Sequence, residues 1–107
     1  MTISKMYFFD TYALIEIISG AEKYKPYVNS ETVITKLNLF ELYYKLLKMH
    51  EKERALFYML QYVQFAADFD EDDIAAAAEL KFENKDLSIT DCIGYVTALK
   101  NDIKFLT

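Results

Sequence analysis

Short apolar runs rich in aromatic and β-branched residues alternate with longer segments of helical period along this chain. The run Met-Tyr-Phe-Phe at residues 6–9 is too short for a helix and suits a buried strand. A helix is expected directly after it, capped by Asp10 or Thr11, given apolar surface by Leu14, Ile15, Ile17 and Ile18, and ended near Gly20. Residues 23–30, which contain Pro26 and Asn29, read as a loop or short helix. A second β-branched run, Thr-Val-Ile-Thr at 32–35, predicts a second strand, and Asn38 is expected to open a long helix to about His50. In that helix only Asn38, Glu41, Lys45 and Lys48 are polar along one narrow stripe, so most of its surface is expected to be buried.

Residues 51–64 predict another helix, 65–69 a weak strand, and 71–84 an alanine-rich helix capped by Asp70. A helix over about 90–101 follows Ser88, and residues 103–107 close the chain with a strand signature. Strands alternating with helices of this length imply parallel crossovers, hence an α/β protein built as a three-layer α/β/α sandwich on a central, mainly parallel sheet. With no internal repeat, linker or low-complexity tract, the 107 residues read as a single domain.

Composition narrows the picture further. A chain of this size can bury well over half of its unfolded surface, and a lone cysteine, Cys92, offers neither an internal bridge nor a paired thiolate site for zinc. No apolar run approaches membrane-spanning length, and Asp10 interrupts the apolar segment that follows Lys5, so a soluble cytoplasmic protein is expected. The net charge of -5 argues against a nucleic-acid binder that works through a general basic surface. It leaves open one that meets phosphate through bound cations.

In an open parallel sheet, ligands collect beyond the carboxyl ends of the strands. Three acids are predicted near that end: Asp10 directly after the first strand, Glu41 one turn inside the helix after the second, and Asp91 in the first turn of the helix before the last. Each has an ordinary reading when taken alone. Asp10 can be a helix cap, Glu41 can pair with Lys45 four residues on, and Ser88 with Asp91 fits a capping box. Three carboxylates drawn together would repel strongly, about 4 kcal/mol for a pair 4 Å apart at an effective dielectric near 20, and would call for Mg²⁺ or Mn²⁺.

Here the chain resembles a known family. The stretch FFDTYALI at 8–15 is similar to the opening motif of PIN-domain ribonucleases, TKLNLFEL at 35–42 to their second, and LSITDCIGYVTA at 87–98 to their third. The three occur in order across nearly the whole chain. The resemblance implies a metal-dependent endoribonuclease, most often the toxin of a VapC-type toxin-antitoxin pair. In it Asp10, Glu41 and Asp91 would hold Mg²⁺ or Mn²⁺ and act on an RNA phosphodiester, with Thr11 and Thr107 in support. It further implies a homodimer and a small antitoxin over the active site. The family continues past the last strand with a threonine, a small residue and a fourth acid. This sequence stops at the threonine, Thr107, so a PIN-like domain without the usual C-terminal extension, and weaker metal binding, are expected. Asp102 precedes the last strand and lies at its wrong end to substitute. The alternative from a different class is a non-catalytic PIN-like interaction module that binds a partner protein or RNA.

Other features read as structural. Acids at 68, 70, 72 and 79 imitate a calcium loop, but Asp73 stands where its sharp turn needs glycine, and the first turn of a helix explains the cluster. His50 lacks a second histidine, Cys92 lacks a partner base, and the aromatics between Leu56 and Phe65 sit at core-like helical spacing. Lys36, Lys45 and Lys48 are candidates for contacts to RNA.

Overall fold

The computed structural model describes residues 5–107. Strand β1 (Met6–Phe9) leads into α1 (Thr11–Ile18), and a 3-10 segment (Glu22–Tyr27) containing Pro26 brings the chain to β2 (Glu31–Val33). Helices α2 (Lys36–Leu47), α3 (Lys52–Leu60), α4 (Glu71–Glu83) and α5 (Ile89–Lys100) follow, and β3 (Lys104–Leu106) comes last. The sheet has the order β2-β1-β3, with both pairings parallel.

The central strand decides the layering. Phe8 and Phe9 are adjacent, so they point to opposite faces of the sheet, and both are fully buried. Phe9 joins Leu14 of α1, Tyr24, Ile34, Leu42 and Leu46 of α2 and Ala55 of α3 in one core. Phe8 faces α5, where its ring stacks on Phe105 of β3 at 5.3 Å between centroids. Full burial of each phenylalanine contributes about 1.5–3 kcal/mol, so the strand is pinned from both sides. Gly94 lets α5 come this close: a Cβ there would lie 2.7 Å from Phe8 Cε1 and 3.0 Å from Phe105 Cε2. Helix α4 packs on the outside of α5, where Ala77, Cys92 and Ile93 form a second cluster. This is the three-layer α/β sandwich that the alternation of runs implied.

Several elements depart from their expected limits. Helix α2 starts at Lys36 rather than at Asn38, because Thr35 takes the cap position and the Asn38 side chain folds back onto the Thr35 N–H at 2.9 Å. Its burial is also turned round. Asn38 is 1% exposed, whereas Phe40 is 75%, Tyr44 55% and Leu47 41% exposed. The helix lies edge-on against α1 and α3, so Leu42 and Leu46 fill the core, Asn38 and Glu41 of the polar stripe face α1 while Lys45 and Lys48 stay exposed, and Phe40 and Tyr44 meet solvent. The helix expected over 51–64 ends at Leu60, with Glu51 as its cap, and a 3-10 turn (Val63–Phe65) follows. The weak strand at 65–69 shrinks to one parallel bridge between Ile34 and Ala66. That bridge rests on Ala67 N–H donating to the Ile34 carbonyl at 2.7 Å and Ile34 N–H to the Phe65 carbonyl at 3.1 Å.

The acidic 68–73 segment behaves as the start of a helix. Asp70 accepts from the Asp73 N–H, the Asp73 carboxylate accepts from the Asp70 N–H, and Lys100 of α5 reaches Asp73 at 3.1 Å.

Candidate metal centre

The end of β1 sets the position of Asp10. Its N–H donates to the carbonyl of Leu106 at 3.0 Å, so the residue continues the sheet register, and Thr107 follows directly after β3. Its Oδ1 then accepts from the Ala13 N–H at 2.8 Å and caps α1. Capping uses one carboxylate oxygen and leaves the other free. Asp10 is 8% exposed, and among the described residues no lysine, arginine or histidine pairs with it. A buried carboxylate in that state is costly unless a cation or further donors reach it.

A chain of polar side chains joins this strand end to α2. Thr11 Oγ1 donates to Glu41 Oε1 at 2.8 Å, and Asn38 Nδ2 donates to Thr11 Oγ1 at 3.4 Å. The Asn38 carboxamide oxygen in turn accepts from the Thr35 N–H and from its hydroxyl at 3.1 Å. Thr11, Thr35 and Asn38 are all buried. The ordinary alternative for Glu41, a surface pair with Lys45, is not made. A hydrogen bond to a charged group contributes about 1.5–3 kcal/mol, more than such an exposed pair. Sequence reasoning misses Asn38 and Thr35 as site residues. Their signal is the cap-plus-three spacing at the start of α2.

Asp91 comes from the opposite face of the sheet. Helix α5 runs against the strands, so its first turn stands at their carboxyl end, and the Asp91 N–H is held by Ser88 Oγ at 3.0 Å. One turn on, Tyr95 stacks on Phe105 at 4.1 Å. Burial raises the Tyr95 phenol above its ordinary value, and the charges of Asp91 and then Asp10 push it the same way. A single phenol therefore feels two of the three acids. On the other side of Asp10 the buried Tyr24 hydroxyl finds no hydrogen-bond partner among the described residues, and its pKa is raised by burial, then by Tyr12 and Asp10. Both phenols remain neutral donors at physiological pH.

The three acids occupy one end of the sheet, yet among the described residues no three acid, histidine or cysteine side chains close into a group that could hold a metal. The donor chemistry still suits a hard cation, since every candidate offers oxygen. Mg²⁺ commonly keeps several waters and needs only one or two carboxylates. Asp102 sits before β3 in a left-handed turn with φ 52°, at the far end of the sheet, as expected. Cys92 is buried, and burial raises its thiol, so it is not an activated nucleophile. Among the described residues no helix is long and apolar enough to cross a membrane.

Comparison with known proteins agrees with this architecture. None of the curated proteins matches the chain. Among solved structures, a chain of a toxin-antitoxin complex from Klebsiella pneumoniae is 25% identical, with TM-score 0.69 over 94% of this chain and 84% of that one. A chain of VapBC2 from Rickettsia felis, solved bound to a DNA fragment from its promoter, is 18% identical, with TM-score 0.72 over 95% of this chain and 86% of that one, and shows the same fold. The family model for the PIN domain matches residues 7–107, and the chain belongs to that family.

Proposed function

We propose that this protein is a divalent-metal-dependent endoribonuclease, the toxin of a VapC-type toxin-antitoxin pair, with Asp10, Glu41 and Asp91 as metal-binding and catalytic residues. The carrying observation is the Asp10 carboxylate, 8% exposed at the end of the central strand of a PIN domain, with one oxygen free and no cationic side chain beside it among the described residues. Mg²⁺ or Mn²⁺ bound there would supply Lewis acidity and neutralise charge on the phosphodiester. The chain's own residues do the rest. Asp10 is oriented by its cap bond and Thr11 holds Glu41 in place; in this reading Thr107, directly after β3, would support Asp10, and Asp91 would complete the site from the first turn of α5. The Klebsiella relative supports a small antitoxin as partner. A homodimer and a cytoplasmic location belong to the same proposal.

The second reading, a non-catalytic PIN-like module that binds protein or RNA, is favoured by the failure of three acids to close into one group among the described residues. One assay separates the two. Wild-type protein with Mn²⁺ should cleave single-stranded RNA, and Asp10→Asn, which retains a good capping residue, should lose cleavage by at least about 100-fold while keeping the fold. Equal cleavage by the two proteins would overturn the role given to Asp10, and no cleavage by either would leave the interaction module as the better account.

A further inference from the structure

Helix α2 carries a second pattern that neither its capping nor its core packing uses. Lys36, Phe40, Tyr44 and Lys48 recur every four residues, so they form one stripe, and all four are exposed. Phe40 is 75% and Tyr44 55% exposed, large aromatic surfaces left in water. Lys48 Nζ lies over the Tyr44 ring at 4.4 Å, which keeps a positive charge at the aromatic face. Lys45 is exposed beside the stripe, so this helix and its cap present three lysines against the single carboxylate of Glu41, in a chain whose net charge is -5. Successive members are about 6 Å apart along the axis. The stripe borders the acid site, since Glu41 follows Phe40 directly and is tied to Thr11.

Resting on the ribonuclease reading above, we propose that this stripe is the platform on which single-stranded RNA is laid. Bases stack on Phe40 and Tyr44, and Lys36, Lys45 and Lys48 take the phosphates, which leads the backbone past Glu41. Stacking on aromatics accepts any base because every base has a π-face, and it suits a splayed single strand rather than a duplex. The lysines favour a polyanion over a second copy of this acidic chain as the occupant.

The absence of tryptophan makes a direct test available. Phe40→Trp would carry the sole indole, and it is titrated with a mixed-sequence single-stranded oligoribonucleotide of about ten nucleotides, within the range of known single-strand sites, without added divalent ion. The expected result is saturable quenching of the indole. Tyr44→Ala in that background should raise the midpoint about tenfold, and replacing Lys36 and Lys48 by glutamine should flatten its salt dependence by roughly 0.7 for each phosphate no longer neutralised. Phe82→Trp, placed on α4 where Phe82 is 80% exposed, should stay unquenched. Equal quenching at both positions would overturn the proposal. So would a Phe40→Trp signal that depends on protein concentration without RNA, which would assign the stripe to self-association. Cleavage that requires Asp10, together with an unquenched indole, would overturn the platform alone and leave the ribonuclease reading standing. Failure of both cleavage and binding would remove the two together.

Discussion

Gly94 shows how one missing atom sets the distance between a helix and a strand. An alanine Cβ at this position would meet Phe8 Cε1 at 2.7 Å and Phe8 Cζ at 3.0 Å, and Phe8 cannot retreat because it is fully buried against Phe105. Gly94→Ala should therefore destabilise the fold by about 1–3 kcal/mol, the usual cost of overpacking. Urea unfolding measures this, and a midpoint equal to that of wild type would show that α5 is looser than its packing indicates. The same substitution pushes Asp91, three residues earlier on α5, away from the strand end. At Asp10 the cap and the candidate ligand are the same side chain, so the ordinary reading of that residue and the functional one were never exclusive.

Between elements, α4 and α5 are fastened by Lys100, which reaches Asp73 at 3.1 Å and Asp70 at 3.9 Å. The Asp73 carboxyl is held below its ordinary 3.8 by the Asp70 N–H and by Lys100, and Lys100 is held above its ordinary 10.5 by Asp73. A lowered acid contributes stability that is complete above its unfolded pKa and is lost as pH falls through the folded one. A raised lysine contributes stability that is complete below its unfolded pKa and is lost as pH rises through its folded one. The clasp should thus hold on a plateau between about pH 5 and 9 and weaken below about 4 and above about 10.5. Lys100→Gln should flatten both flanks of a plot of stability against pH. Unchanged flanks would show that this clasp contributes nothing. The strands, α4 and α5 were legible in the sequence because period and caps agreed there, as with Asp70 and Ser88. The start and burial of α2 were not, because polar residues at its opening read as solvated, whereas Thr11 receives Asn38 and Glu41 inside the protein. The bridge at Ala66 carries one residue's worth of pairing, too little to be distinguished from a strand by pattern.

At the scale of the whole molecule, the body measures 40 × 36 × 23 Å, a flat shape that leaves large apolar residues such as Phe40, Phe82 and Leu99 at the surface. The relation of the acids to the sheet was readable, since the parallel order brings Asp10, Glu41 and Asp91 to one end. Their mutual distance was not, because it depends on how α2 and α5 tilt over the strand ends. That distance bears on one further measurement. A cation that binds only the folded state stabilises it by RT ln(1 + [L]/Kd), about 1.4 kcal/mol at ten times Kd, or roughly 5–10 °C in Tm for a domain of this size. Mn²⁺ should raise the melting temperature of wild type along that curve and leave Asp10→Asn unmoved. The net charge of -5 supplies a competing effect, because any salt relieves the repulsion among the acids. The comparison is therefore made at matched ionic strength against Na⁺. A saturating, Asp10-dependent rise would establish a folded-state cation site at the end of β1. A rise shared equally by Na⁺ and by Asp10→Asn would be diffuse screening, and the acids would then be three separate structural carboxylates rather than a metal centre.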